Sequence, residues 1–259
     1  MKVLFFLIIV ILLIGVWSIA VEPYILTVRH LTVKDESLKG LRVLFASDLH
    51  YKRYEKFRLK RDIEKINAQK ADIILLGGDF VNGHKKGQGL NIEIIAEELG
   101  KLKSKYGTYT VLGNHDVWQG AAEITEALTK HGITVLKNSN KKAGSVYIAG
   151  VEDLQTQTPD VEKALKGTKP PVILLTHTPD IIEEVPLSVN LTLAGHLHGG
   201  QIRLPVIGAV VAPSKYGTKY AYGFFVVKGR KLFVSKGIGT SILPVRLFCM
   251  PEIVLIEFI

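Results

Sequence analysis

The sequence predicts an α/β fold, built around a central sheet or sheets and preceded by one apolar helix. Short apolar runs alternate with segments of helical spacing along the chain, and the first residues form one long uncharged run. The 259 residues suffice for one or two domains with a large core. The single cysteine, Cys249, excludes an internal disulfide and any cysteine-based zinc cluster. A bound metal would therefore need His, Asp and Asn ligands.

The apolar run at the start of the chain extends from Val3 to Val21 and contains 19 residues without a charge. As a helix it would be about 28 Å long, close to the thickness of a hydrocarbon core. Trp17 near its end suits the membrane–water interface. Ser18 and Ala20 also form the small-residue pair of a signal-peptidase site, so a cleaved signal sequence is the alternative. We favour a single-pass anchor in the cell membrane, because the run is long for a signal sequence.

This interpretation divides the chain into an anchor, residues 1–21, and one globular domain, residues 22–259. The 33 Lys and Arg residues outnumber the 24 Asp and Glu residues, which gives a formal charge of +9. Such a balance favours contact with phosphates, anionic lipid or nucleic acid, but names no partner. Basic residues lie on both sides of the apolar run, so the sequence leaves open which side of the membrane the domain occupies.

Five short apolar runs have the length and composition of buried strands. They are Leu41–Ala46, Ile73–Leu76, Tyr109–Leu112, Val172–Leu175 and Leu191–Ala194. Between them, Lys56–Ala68, Ile92–Leu102 and Ala121–Lys130 carry helical spacing. A strand-rich closing section follows, with Gly223–Val227, Lys231–Ser235 and Ile253–Phe258. The earlier strands are joined through helices, as in parallel sheets, whereas the closing strands follow one another directly. We therefore predict a mixed sheet.

Each of the five strand candidates runs directly into a polar cluster. The clusters are Asp48-Leu49-His50, Gly78-Asp79, Gly113-Asn114-His115-Asp116, His177, and Gly195-His196-Leu197-His198-Gly199. In open α/β sheets the residues past the carboxyl ends of the strands meet in one crevice, so these clusters can converge. Two divalent cations about 3.5 to 4 Å apart require a bridging carboxylate, for which Asp79 is the candidate. Alternation in an extended segment would place Asp48 and His50 on one side, and likewise His196 and His198.

In this order the clusters resemble the signature of the calcineurin-like metallophosphoesterase superfamily, over residues 41–201. The later stretches Gly199–Pro205, Val234–Ser241 and Pro244–Arg246 resemble its YkuE-type branch of membrane-associated or exported bacterial proteins. The resemblance implies a sandwich of two mixed β-sheets flanked by helices. The second motif of protein serine/threonine phosphatases continues into Asp-Arg-Gly, whereas Phe80 follows Asp79 here, so a phosphoprotein substrate is not expected.

Carried over residue by residue, the resemblance implies two groups of metal ligands that share Asp79. One group is Asp48, His50, Asp79 and His198, and the other is Asp79, Asn114, His177 and His196. It leaves His115 as the catalytic residue, a hydrogen-bond or proton donor to the leaving oxygen, and we expect Asp116 to orient that imidazole. The family uses Mn, Fe or Zn, of which we favour manganese.

Two arginines, Arg203 and Arg246, are candidate contacts of the substrate phosphate, with pairing to Glu252 as the alternative. His30, His84 and His131 lie outside the clusters and are assigned to the surface or to packing.

The predicted function is a membrane-anchored phosphoesterase that hydrolyses phosphodiester or pyrophosphate bonds through a metal-bound hydroxide. Lipid-linked or cell-envelope precursors are the expected substrates, and nucleic acid is not the expected partner. Two alternatives stay open: a phosphomonoesterase or nuclease of the same superfamily, and a catalytically silent, metal-stabilised membrane protein that binds an anion.

Overall fold

The structure, a computed structural model, describes residues 1–259 and begins with an isolated apolar helix. Helix α1 is Lys2–Val16, and it continues through a π-helical turn, Trp17–Val21, and a 3₁₀ turn, Glu22–Tyr24. None of the α1 side chains is buried. With no polar face, the helix has no arrangement in which one side packs on the domain and the other faces water. The 23 residues from Lys2 to Tyr24 are long and apolar enough to cross a membrane.

The first sheet has six strands in the order β1, β14, β2, β3, β4, β5. Their bounds are β1 Thr27–Val33, β2 Arg42–Ala46, β3 Ile73–Leu76, β4 Thr108–Thr110, β5 Thr134–Val135 and β14 Glu252–Phe258. Strands β2 to β5 are parallel, and β14 lies antiparallel to β2 and parallel to β1. The last strand of the chain is therefore inserted between its first two.

The second sheet also has six strands, in the order β12, β13, β9, β8, β7, β6. Their bounds are β6 Ser139–Ala143, β7 Val146–Gly150, β8 Val172–Leu175, β9 Leu191–Ala194, β12 Gly223–Val227 and β13 Arg230–Val234. Strands β7, β8, β9 and β13 are parallel, whereas the edge strands β6 and β12 are antiparallel to their neighbours. A separate two-stranded hairpin is formed by β10, Arg203–Leu204, and β11, Gly208–Ala209.

The two sheets pack face to face, with Phe45, Leu75 and Leu193 in the apolar layer between them. Helices α2 (Lys56–Asn67), α3 (Ile92–Leu99) and α4 (Asn114–Lys130) cover the outer face of the first sheet, and α5 (Val161–Leu165) lies on the second. Both sheets are mixed and flanked by helices, which confirms the predicted sandwich.

The predicted strands and helices are present with small changes at their ends. The largest difference is α4, which begins at Asn114 instead of Ala121 and bends at Gly120, where φ is 123°. Six strands, β1, β5, β6, β7, β10 and β11, and helix α5 were missed. Strand β6 reads Ser-Asn-Lys-Lys-Ala because it is an edge strand, and a strand paired on one side only needs no continuous apolar sequence.

Candidate metal centre

The polar clusters lie at the carboxyl ends of β2, β3, β8 and β9 and at the start of α4, where the two sheets meet. Five of the predicted ligands have a left-handed backbone: Asp48 (φ 54°), His50 (φ 44°), Asp79 (φ 57°), His196 (φ 70°) and His198 (φ 49°). Asp, Asn and His adopt this region more readily than other residues, at a cost of about 1–2 kcal/mol each. The expectation of extended segments was therefore wrong: these side chains converge because the backbone turns sharply at each one.

Asp79 occupies the middle of the site. Its Oδ2 lies 3.3 Å from His50 Nε2 and 3.3 Å from His177 Nε2, so one carboxylate oxygen faces imidazoles from both predicted ligand groups. The Asp79 side chain is 2% exposed. Gly113 packs against this carboxylate, and any Cβ at that position would overlap it. This placement is the one that a carboxylate shared by two cations would need.

The remaining predicted ligands surround Asp79 on two sides. On one side, Asp48 Oδ1 lies 3.5 Å from His198 Nε2. On the other, His177 Nε2 lies 3.0 Å from Asn114 Oδ1 and 3.2 Å from His196 Nδ1. The structure thus brings together all seven residues predicted from the sequence, although they are spread over 151 positions of the chain, from 48 to 198.

These residues fit divalent cations. Both ring nitrogens of His50 and Nδ1 of His198 are buried and have no hydrogen-bond partner, which is costly unless another group binds there. His177 Nδ1 lies 2.8 Å from the Gly77 carbonyl and donates to it, so the lone pair on Nε2 points into the centre. Ligand atoms of Asp48, His50 and His198 lie within 4.8 Å of one another, as do those of Asp48, Asp79 and His177. Imidazole and carboxylate donors together suit Mn, Fe or Zn.

Burial and the neighbouring charges set the protonation of these groups. Burial alone would raise the pKa of Asp79, but the imidazoles of His177 and His50 outweigh it and hold that pKa well below its usual range. Burial lowers the pKa of His196 to about 4, which keeps this imidazole neutral at pH 7. His177 differs, because Asp79 outweighs the effect of burial and raises its pKa, so a cation bound at His177 must displace a proton.

His115 stands at the start of α4 beside the ligands. Its backbone N–H donates to Asp79 Oδ1 at 2.9 Å, and its Nδ1 lies 2.9 Å from the Gly83 carbonyl, which fixes the ring. Nε2 then faces the Ser241 hydroxyl at 3.2 Å. Burial lowers the pKa of His115 to about 4.

Asp116 does not orient His115, contrary to expectation. Its carboxylate accepts the backbone N–H groups of Asp79 (2.7 Å), Phe80 (2.8 Å) and Gly113 (3.0 Å). Burial, and next the Asp79 charge, raise the pKa of Asp116 to about 7. The residue holds the β3 turn against the start of α4, and the Gly83 carbonyl takes the orienting role instead.

Comparison with known proteins assigns the family. Residues 41–200 match the family of calcineurin-like phosphoesterases. The chain belongs to this family. It is 32% identical over 246 residues to the metallophosphoesterase YkuE of Bacillus subtilis, covering 90% of this chain and 85% of that protein. It is 32% identical over 247 residues to the phosphodiesterase YaeI of Escherichia coli, covering 90% and 87%.

A third relative is the "transmembrane protein with metallophosphoesterase domain" of Danio rerio, which is 30% identical over 241 residues. The alignment covers 84% of this chain and 53% of that protein. Members of this family hydrolyse phosphoesters with the help of divalent metals, and the ligand clusters described above are the candidate metal-binding residues of this member.

The phosphoesterase site opens into a cavity of about 490 Å³, whose wall includes residues that the sequence did not reveal. Gln155 Nε2 lies 3.0 Å from His196 Nε2. His84, assigned above to the surface or to packing, lines the cavity, with its ring 5.0 Å from the stacked Trp118 ring and 4.8 Å from that of His115. His84 lies eight residues after the end of β3 and Gln155 five after the end of β7, so the pattern of a polar cluster directly at a strand end could not find them.

The two arginines predicted to contact substrate, Arg203 and Arg246, do not line the cavity of this phosphoesterase. Arg246 is fully buried, and its guanidinium donates to the carbonyls of Cys249 (2.9 Å) and Lys236 (2.8 Å) and to that of Gly239. The prediction that Arg246 contacts the substrate phosphate is wrong, because its guanidinium N–H groups already donate to backbone carbonyls. Arg203 donates to the Gly199 carbonyl at 3.1 Å and does not line the cavity.

Proposed function

We propose that this protein is a membrane-anchored phosphoesterase that holds two divalent cations and hydrolyses phosphodiester or pyrophosphate bonds, including those of lipid-linked substrates. One observation carries the proposal: a single carboxylate oxygen of Asp79 lies 3.3 Å from an imidazole of each ligand group. That arrangement suits a pair of cations better than one ion.

Two ligand groups would hold the cations. Asp48, His50, Asp79 and His198 would hold one, and Asp79, Asn114, His177 and His196 the other. When bound, such ions activate a water for attack on phosphorus and offset the charge on the phosphoryl oxygens. Manganese is the ion we favour for both positions.

The protein's own contribution is to place His115 beside the leaving group. The Gly83 carbonyl accepts from Nδ1 and fixes the ring, so Nε2 is the atom that faces the cavity. An anionic phosphoester next to this ring favours the protonated imidazole, which can then donate from Nε2 to the departing ester oxygen. The Ser241 hydroxyl, 3.2 Å away, holds the ring in the same orientation before substrate arrives.

The cavity wall supports a diester over a monoester. Besides His115, the wall includes four large apolar side chains, those of Trp118, Ile202, Ile242 and Leu243. A phosphorus atom at the ligands would therefore have organic surface available for two substituents. The relative YaeI, which is named a phosphodiesterase, supports the same choice.

The junction between α1 and the domain supports an anchor that stays attached. Glu22 is buried, and its carboxylate accepts from Trp17 Nε1 at 2.8 Å and from the backbone N–H of Cys249. The Ser18 carbonyl accepts from the Arg246 N–H at 2.9 Å. Cleavage after Ala20 would remove two of these three bonds, those made by Trp17 and Ser18. The fish relative that is named a transmembrane protein supports this part of the proposal as well.

The test uses the full chain in detergent micelles, first stripped with a chelator and then reloaded with Mn²⁺. We expect two metal ions per chain and faster turnover of bis(p-nitrophenyl) phosphate than of p-nitrophenyl phosphate. Binding of one ion or none per chain would contradict the shared role of Asp79. Preference for the monoester would contradict the proposed substrate class while leaving the metal centre intact.

A further inference from the structure

Two loops beside the catalytic cavity expose an unusual amount of apolar surface. One is the hairpin of β10 and β11 with the residues after it, and the other precedes β14. We call their exposed side chains the apolar rim: Val206, Ile207, Val210, Val211, Ile242, Leu243 and Phe248. Ile207 is 73% exposed and Ile242 is 87% exposed. Apolar side chains clustered on one surface, unlike isolated ones, indicate a surface that another apolar phase covers.

The rim is joined to the end of the N-terminal helix by consecutive hydrogen bonds. The Arg246 N–H donates to the Ser18 carbonyl at 2.9 Å. The next residue, Leu247, donates to the Gln201 carbonyl and accepts from the Arg203 N–H, both at 2.9 Å. Backbones paired in this way lie about 5 Å apart, so the base of the hairpin lies within about 10 Å of the helix end. The hairpin is therefore within reach of the membrane surface if α1 spans the membrane.

Charges near the rim suit anionic lipid. Three cations surround the Tyr222 ring: Arg29 at 4.8 Å, Lys236 at 4.9 Å and Arg203 at 5.4 Å. Lys236 also lines a cavity of about 470 Å³ together with Trp17 and Phe248, between the helix end and the rim. Lys236 Nζ also pairs with Glu252 at 3.5 Å, so Arg29 and Arg203 supply the net positive charge of this cluster. Basic groups between apolar side chains are the arrangement with which proteins bind the headgroups of an anionic leaflet.

We infer that the apolar rim inserts into the lipid bilayer as a second membrane contact, so that the catalytic cavity opens at the level of the lipid headgroups. Ile202, Val210, Val211, Ile242 and Leu243 belong to the cavity wall and lie in or beside the rim, so the two surfaces are continuous. A lipid phosphoester could then reach the ligands from the headgroup layer while its acyl chains stay in the membrane. The inference rests on the proposed membrane anchor and adds a second site of contact.

Spin-label depth measurements on the full chain test this directly. Labels are attached to Ile207→Cys in the rim, to Ile9→Cys in α1, and to Leu187→Cys as a matched control. Leu187 is an exposed apolar residue that lies before β9, at the opposite end of the strand from the ligands. The parent chain is the labelling control, because its sole cysteine, Cys249, is fully buried. The variants are reconstituted into vesicles of phosphatidylcholine and phosphatidylglycerol.

We expect the labels at Ile207 and Ile9 to collide more with oxygen, which concentrates in lipid, and the label at Leu187 to collide more with a water-soluble nickel chelate. An Ile207 label as accessible to nickel as the Leu187 label, with Ile9 in lipid, would overturn the rim contact and leave the anchor standing. An Ile9 label in water would overturn both. An Ile207 label shielded from both reagents would also overturn the inference, because a protein would then cover the rim.

Discussion

The candidate metal centre, called the centre below, and the apolar rim use the same backbone conformation in opposite ways. At the centre, left-handed residues such as Asp48 and His198 are buried, and they turn polar side chains inward. At the rim, Val206 (φ 69°), Ile242 (φ 61°) and Phe248 (φ 52°) are also left-handed, but they are exposed and apolar. Asp and His accept this conformation readily, whereas a β-branched residue is strained in it.

Because of this difference, we assign catalysis to the centre and membrane contact to the rim. Strain at the centre is compensated within the protein by convergent hydrogen bonds and, on our proposal, by cations. At the rim, one short-range backbone bond spans each strained residue: Ile207 N–H donates to the Pro205 carbonyl at 2.8 Å across Val206, and Leu243 N–H donates to the Ser241 carbonyl at 2.7 Å across Ile242. The side chains of Val206 and Ile242 stay exposed, and on our inference lipid covers them. A change at the centre should therefore alter turnover on every substrate, whereas a change at the rim should alter only reactions at a membrane.

Removal of the shared carboxylate should have the largest effect. In Asp79→Asn the site loses the anionic oxygen that faces both His50 and His177, so we expect loss of bound metal and a decrease in kcat of more than about 10⁴-fold. Metal content by mass spectrometry and diester turnover are the measurements. Asp180→Asn, at a buried carboxylate outside the centre, is the matched control and should keep both. Metal retained at two ions per chain would refute the role of Asp79.

His115→Ala should separate metal binding from catalysis. The variant keeps the ligands but lacks the donor to the leaving oxygen, so we expect normal metal content and a decrease in kcat of about 10²- to 10⁴-fold. The loss should be smaller for a diester with a better leaving group, because such a group needs less protonation. His131→Ala, on the far end of α4, is the control. Full activity in His115→Ala would exclude the assigned role.

Acid should weaken metal binding at the centre and leave the rim unchanged. Burial lowers the pKa of His177, but Asp79 outweighs this effect and raises that pKa well above 6.5 in the metal-free protein. A cation must then displace a proton, so its affinity should fall about tenfold for each pH unit below that pKa. Titration of Mn²⁺ at pH 7 and pH 5 measures this. Equal affinities would contradict it, and the depth of the Ile207 label should be the same at both values.

A charged hairpin tip should have the smallest and most selective effect. In the double variant Val206→Asp, Ile207→Asp we expect turnover of a soluble diester within about twofold of the parent, because neither side chain lines the cavity. Turnover of a phospholipid diester in vesicles should fall at least about tenfold, because the loss of even one of the two apolar contacts with lipid would have that effect. Leu187→Asp should change neither rate. An equal loss on both substrates would show that the tip supports the site and not the membrane contact.

The sequence predicted which polar clusters the fold brings together, but not how they meet. Apolar strands that end in Asp, His or Asn are visible in the sequence. The packing of the two sheets face to face brings the carboxyl ends of these strands together. The left-handed turns at Asp48 and His196 are not visible, because they depend on glycines and carbonyls from other strands. His84 and Gln155 reach the cavity from long loops, where no periodicity marks an inward side chain.

Arg246 shows a second limit of sequence reasoning. An arginine near a phosphate site is a reasonable contact for substrate, and only the fold reveals that carbonyls surround it. The rim was missed for a related reason: its apolar residues are scattered over two loops, and neither loop alone has the length or period of a membrane segment.

The position of β14 has a consequence for biosynthesis. This strand holds β1 and β2 together, yet more than 200 residues separate it from β2 along the chain. Synthesis runs from the amino end, so the apolar helix is made long before the gap between β1 and β2 can be filled. On the proposed anchor, the domain can complete its first sheet only after its tether is in place, and a chain that lacks residues 252–259 should be delivered to the bilayer and remain unfolded there.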